Sequence, residues 1–321
     1  MREENKTLPK TFASLLNKNY IEVEDVLQVN SYKGRYCIVG RKRGEDRKLL
    51  IKWNNSHMRE HYSKLEKERM IYVLLDGQDI TPEFIPIHGF LATDFISGSV
   101  TVRSYLIKNR SNPKKTDHMI CSVLKDWEKM FRIVNRDFDS NRIQRISLGE
   151  QFHLEMYNAW VSKPFDAHSS KILHTCNHVG FWLFTRINAH RIRNMLKRNQ
   201  LVPVIIHGDY HLNNILVLDE RLYTIDFENL CIGYAEIELA YLYVQIWALM
   251  VKGREDVIQR MDRLFCETLE KCNLCVGFFT VCQRILLSQI SMNRSFFAQE
   301  RVDIGLTSKI RLWRDALSVL S

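Results

Sequence analysis

The sequence predicts an α+β protein of two lobes, a small β-rich lobe at residues 1–97 and a larger α-rich lobe at residues 98–321. Three observations carry that expectation. At 321 residues the chain is long enough for about two domains of roughly 150 residues. Its 45% hydrophobic and 26% charged residues, with only 13 Gly and 6 Pro, are the proportions of an ordinary folded protein. Short β-type runs dominate before residue 54, whereas helical periodicity dominates after Ser97-Gly98-Ser99.

The β-type runs are Tyr20 to Val29, Arg35 to Val39 and Lys48 to Trp53, separated by Gly34 and by the turn-like Arg43-Gly44-Glu45-Asp46, which reads as a small antiparallel sheet. From His57 to Leu75 the apolar positions Tyr62, Leu65, Met70, Val73 and Leu74 recur at helical spacing until Asp76-Gly77 ends the pattern. Thr81-Pro82 breaks the chain, and Ser97-Gly98-Ser99 supplies a hinge. Beyond it, Val102 to Lys108, Asp117 to Arg136 and Ser170 to Asn199 read as helices. One island of strands interrupts them: Val204 to Ile206, Ile215 to Leu218 and Leu222 to Ile225, the last two joined through Asp219-Glu220-Arg221.

Several classes are disfavoured. Met1 to Lys10 lacks the apolar core of a secretory signal, and the longest nearly apolar run, Leu239 to Val251, is too short to span a bilayer. Eight scattered Cys suit free thiols in a reducing compartment better than a disulfide framework, so a cytoplasmic protein without a transmembrane segment is expected. The net charge of +9 is dispersed, with no basic tail, and no nucleic-acid partner is expected. Oligomeric state is not legible.

The polar residues that need a chemical reason cluster on the strand island. Asp209, Asn214 and Asp226 each stand at the edge of a short apolar strand. Magnesium takes hard oxygen ligands and usually only one or two protein carboxylates beside substrate phosphates. Asn214 and Asp226, on either side of a hairpin, can supply the protein contacts, which leaves Asp209 to orient a nucleophile.

The segment His207-Gly208-Asp209-x-x-x-x-Asn214, followed by Ile225-Asp226-Phe227-Glu228, resembles the catalytic core of the protein-kinase-like superfamily. Gly208 in place of the protein-kinase Arg, and Glu228 in place of the Gly of Asp-Phe-Gly, make it similar to aminoglycoside phosphotransferases, choline kinases and lipopolysaccharide core-sugar kinases. Gly233-Tyr234-Ala235-Glu236-Ile237-Glu238-Leu239-Ala240 resembles a further segment of that family, with Glu238 where an Asp is usual.

That resemblance implies a bilobal protein-kinase-like fold with ATP between the lobes. It assigns the catalytic role to Asp209, Mg²⁺ to Asn214 and Asp226, and a structural, loop-supporting role to His207 and Glu238. It also implies a Lys on a strand of the first lobe that grips the nucleotide phosphates, held by a helix Glu. Leu49-Leu50-Ile51-Lys52-Trp53 resembles that strand, and Glu68 is the expected partner of Lys52, with Glu66 or Glu60 as alternatives. The turn at 30–36 stands where a nucleotide-covering loop belongs but has no Gly-x-Gly-x-x-Gly, and no P-loop occurs.

The function implied is ATP- and Mg-dependent phosphorylation of a hydroxyl on a small molecule, a sugar or related compound. The alternative is a catalytically weak kinase-like binding or assembly protein, which has no physical need for Asp209, Asn214 and Asp226 together. Glu228 and Glu236 are candidate acceptor contacts. Cys266, Cys272, Cys275 and Cys282 sit in an apolar stretch with one close pair and read as free thiols, not a zinc site. His174 and His178 lack a third ligand, and the basic run Arg186 to Arg198 reads as a solvated helix face.

Overall fold

The computed structural model describes residues 8–30, 35–54, 59–145, 201–250 and 255–292. The turn at 31–34, the predicted helix at 170–199 with His174 and His178, and the basic run at 186–198 lie outside the described residues.

A short helix, α1 (Lys10–Lys18), precedes three long antiparallel strands, β1 (Ile21–Asn30), β2 (Arg35–Lys42) and β3 (Lys48–Asn54). After α2 (Arg59–Leu75), β4 (Phe84–Ile85) and β5 (Leu91–Asp94) complete a five-stranded sheet of order β1-β2-β3-β5-β4. Burial alternates strictly along β3: Leu49, Ile51 and Trp53 face one side, Lys52 and Asn54 the other. The apolar side carries α1, whose Phe12 stacks on Trp53 with ring centroids 4.9 Å apart. This helix is absent from the predicted elements because its polar residues mask the two buried positions, Phe12 and Leu16. The opposite side of β3 carries the site.

The chain then runs through β6 (Val100–Thr101) into α3 (Val102–Asn109) and the 25-residue α4 (Pro113–Asp137). Asn112 caps α4 through its side chain, accepting from Lys115 N at 3.2 Å, and Pro113 fits the first helical position, so the helix starts four residues before the predicted Asp117. The strand island is β7 (Val204–Ile206), β8 (Ile215–Leu218) and β9 (Arg221–Thr224), with β10 (Cys231–Gly233) pairing back onto β7. The β8–β9 connection is a two-residue turn with positive φ at both Asp219 (48°) and Glu220 (66°), the mirror-image turn that matches strand twist.

Helix α5 (Ala235–Met250) is buried on nearly every side and forms the centre of the larger core, as expected of a helix apolar all round. Amphipathic α6 (Glu255–Lys271) and α7 (Val276–Met292) pack against it. Cys272 and Cys275 lie in the link between α6 and α7, where Asn273 adopts φ 55°, so the cysteine-rich stretch is broken and not one continuous helix. The described cysteines are free thiols. Leu65, Ile71, Tyr72 and Leu75 of α2 belong to the larger core, which ties that helix to the second half of the chain.

No described helix is long and apolar enough to cross a membrane.

Candidate active site

Three elements converge on Lys52. Its Nζ donates to Glu68 Oε1 at 2.7 Å and to Asp226 Oδ1 at 2.8 Å, so β3, α2 and the turn after β9 meet at one ammonium. Glu68 is the glutamate that the α2 register brings to Lys52; it is 1% exposed. Burial alone would lower the Lys52 pKa, but the two carboxylates lift it well above the ordinary lysine value. Burial likewise pushes Asp226 up, yet the Lys52 ammonium outweighs it and holds the Asp226 carboxyl below its usual value. The pair stays ionised at neutral pH.

Asp226 stands in the left-handed region at φ 68°, ψ 58°, a conformation that Asp tolerates better than most non-Gly residues. Phe227, next in sequence and 0% exposed, anchors this turn: its ring sits edge-on to Tyr72 of α2 at 5.5 Å and tilted against His207 at 4.6 Å.

The loop after β7 carries Asp209. His207 accepts from Asp209 N at Nδ1 (3.3 Å) and has Nε2 3.1 Å from Ile225 O; burial pushes its pKa down to about 4, so it is neutral and holds the loop to the β9 turn. Asn214 Nδ2 donates to Asp209 O at 3.0 Å and lies 3.4 Å from Oδ2. Burial, reinforced by Asp226 and Glu228, raises the Asp209 carboxyl to about 7. From below, Glu238 of α5 accepts from Gly208 N at 2.8 Å and from the Trp127 indole at 3.0 Å, and Gln245 accepts from Leu212 N at 3.1 Å. Trp127 and Gln245 were missed because a Trp on a periodic apolar helix reads as core and a lone Gln in an apolar run carries no motif.

Of the two expected acceptor contacts, Glu236 is closed: it is 3% exposed and accepts from Cys275 N at 3.0 Å, because the first turn of α5 faces the α6–α7 link. Glu228 stays partly exposed and pairs with Arg35 of β2 (Oε2 to Nη1, 3.0 Å).

A cavity of about 160 Å³ lies over Lys52, lined among others by Arg35, Cys37, Glu68, Asp226 and Glu228. Asp226 in its lining and Asn214, whose backbone O accepts from Ile225 N beside it, offer donors that fit a hard divalent cation beside phosphates. Asn214 spends its amide nitrogen on Asp209, which leaves the carbonyl oxygen for a metal, and Asp226 stays ionised with one oxygen beyond its Lys52 contact. Among the described residues no cluster of three or more His, Cys, Asp or Glu is placed to hold a metal unaided.

Residues 141–275 match the model of the phosphotransferase enzyme family (APH). No curated protein matches the chain. Among solved structures, choline kinase from Cryptosporidium parvum Iowa II superposes with a TM-score of 0.57 at 16% identity, covering 96% of each chain. Amicoumacin kinase hAmiN, solved with AMP-PNP, Ca²⁺ and Ami, superposes with a TM-score of 0.54 at 13% identity, covering 99% of this chain and 96% of that one. At such identities the likeness is one of fold. The chain therefore has a mixed, kinase-like α+β fold, and its segment 141–275 resembles the phosphotransferase enzyme family.

Proposed function

We propose that the protein is an ATP- and Mg²⁺-dependent phosphotransferase whose acceptor is a hydroxyl of a small molecule. The observation that carries this reading is Lys52 bridging Glu68 and Asp226 on the floor of the cavity, with Asp209 and Asn214 hydrogen-bonded beside it.

Lys52 grips the nucleotide phosphates. Asp209 accepts a hydrogen bond from the acceptor hydroxyl, aims its oxygen at the terminal phosphorus and takes its proton as the P–O bond to the acceptor forms and the bond to the departing ADP breaks. A loose transition state asks for positioning more than for a strong base, and a carboxyl near 7 suits that duty. Asn214 and Asp226 would hold Mg²⁺, which when bound neutralises phosphate charge.

The acceptor class follows from charge. Glu228, Glu236 and Glu238 already face donors, so the described floor is a thin complement for a ligand with several ammonium groups. A neutral or anionic hydroxylated compound, a sugar or relative, fits better. The test is ATP turnover by the purified protein against sugars, amino alcohols and aminoglycosides, with products identified by mass. An aminoglycoside turned over at about 10⁴ M⁻¹s⁻¹ or better would overturn the acceptor choice, and no turnover with any acceptor, together with no nucleotide binding, would overturn the enzyme.

A further inference from the structure

We propose that the corner between α3 and α4 is a docking surface for an anionic phospholipid bilayer. Between Phe95 and Thr116 the sequence holds no Asp or Glu but five cations, Arg103, Lys108, Arg110, Lys114 and Lys115. The last four are exposed. On the first sheet, by contrast, Arg41, Lys42, Arg43, Arg47 and Lys48 each pair with a carboxylate. At the corner, Lys108, Lys114 and Lys115 have no ion-pair partner among the described residues, and the next acid in the sequence, Asp117, is taken by Arg260 at 2.6 Å.

Helix stability does not explain this placement. Lys114 and Lys115 stand in the first turn of α4, which has no acidic residue, and there the helix macrodipole and the nearby Lys108 and Arg110 all disfavour positive charge. The corner is nevertheless held in one shape. Thr116, 1% exposed, has Oγ1 3.2 Å from Asn109 O and 2.9 Å from Asn112 O; Asn112 N donates to Asn109 O at 2.8 Å, and the Asn109 amide donates back to Tyr105 O at 2.9 Å. Uncompensated charge fixed in this way is complementary to an anionic surface.

The apolar part of the corner favours a bilayer over a nucleic acid. Ile107 is 38% exposed beside Lys108, a side chain that can enter the headgroup layer while the lysines meet lipid phosphates. Among its described residues the corner exposes no Phe, Tyr or Trp for a base to stack on, Tyr105 being half-buried. At the other end of α3, Arg103 N donates at 3.2 Å to Leu212 O in the loop that carries Asp209, so the eight residues of α3, about 12 Å of helix, lead from that loop to the corner. The docking stands independently of the phosphotransfer reading; together they set the site beside a membrane.

Co-sedimentation of the full chain with lipid vesicles tests the proposal. The wild type should bind vesicles of phosphatidylcholine containing about 30% phosphatidylserine in about 0.1 M salt and be released in about 1 M salt, where screening shortens from about 10 to about 3 Å. It should not bind phosphatidylcholine alone. A lysine near such a surface contributes roughly fivefold in partitioning, so Lys108→Gln/Lys114→Gln/Lys115→Gln should bind on the order of a hundredfold more weakly. Lys10→Gln/Lys18→Gln/Lys271→Gln, the same loss of charge on α1 and at the end of α6, should bind within about threefold of the wild type, being too far from the bilayer to act through salt. Ile107→Ser should weaken binding a few-fold by removing the apolar contact. Equal losses in the two triple variants, binding to phosphatidylcholine alone, binding to neither vesicle, or wild-type binding by Ile107→Ser would each overturn the proposal. A DNA duplex held through the same three lysines more tightly than the vesicles would reassign the corner to nucleic acid and overturn it as well. If the triple variant fails to fold, each single lysine variant should still lose about fivefold, and three unaffected single variants overturn the proposal.

Discussion

Glu238 has both carboxylate oxygens engaged, one by the Trp127 indole and one by Gly208 N, and it is 1% exposed. Glu238→Ala leaves two buried donors without acceptors, each costing about 1–3 kcal/mol, so urea unfolding should show a loss of about 2–5 kcal/mol. Its pKa, raised by burial to about 7 against an ordinary 4.5, adds a pH signature. Between those values the folded state holds a proton that the unfolded state has released, so raising pH through the window lowers stability. Relative to Glu238→Gln, which does not titrate, the wild type should lose stability from pH 4.5 to 7; a pH-independent difference would contradict the assignment. Gly208 is constrained as tightly. It has φ +77°, and a Cβ there would collide with the Asn229 carbonyl and lie 3.1 Å from Cys231 Sγ. Gly208→Ala should cost more than about 2 kcal/mol and displace Asp209, read as lost turnover with lost stability. Such residues were legible in part. The spacing from Asp209 to Asn214 and on to Asp226 pointed to one site, and Lys52 pointed to it through its strand. The Arg35–Glu228 and Trp127–Glu238 pairs were not, since their partners stand 193 and 111 residues apart in the sequence.

At the scale of elements, β7 is held differently on its two edges. One edge pairs with β10, and on the other the Asn135 side chain of α4 takes the place of a strand, donating to Ile205 O at 2.9 Å and accepting from Ile205 N at 2.7 Å. Asn135→Leu is close in size but cannot make either bond. It should destabilise the fold by about 2–4 kcal/mol, two buried backbone groups being orphaned, and should loosen the loop that β7 delivers; unchanged unfolding would show that the clamp is not needed. The long elements were readable because their periodicity is strong: β3 alternates without exception, and the positive-φ turn at Asp219-Glu220 ends β8 where the pattern ends. The two-residue β4 and three-residue β10 were not, because such strands owe their existence to the neighbours that they pair with, β5 and β7.

Across the whole molecule, Lys52 is the point where the first sheet, α2 and the β9 turn are joined, so stability and activity are coupled there. Thermal stability should rise with ATP when Mg²⁺ is supplied, since a ligand that binds only the folded state stabilises it by mass action. Asp226→Ala should abolish that shift. Asp209→Asn should keep it while losing transfer by about 10²–10³-fold or more, and full turnover by this variant would remove Asp209 from the chemistry.

Lys52→Met separates the two duties of the lysine. It leaves Glu68, 1% exposed and already raised by burial to about 7, without the ammonium that favours its ionised form, and breaking a buried pair in this one-sided way costs up to about 3–5 kcal/mol. Adding Glu68→Gln replaces the orphaned acid by a neutral amide, so the double variant should regain most of the stability. It should regain none of the nucleotide affinity, because the cation that meets the phosphates is still missing. Denaturant unfolding and calorimetry on the same three proteins test this. Recovery of both properties in the double variant would mean that Lys52 serves only to neutralise Glu68; recovery of stability alone is the result that the geometry at Lys52 requires.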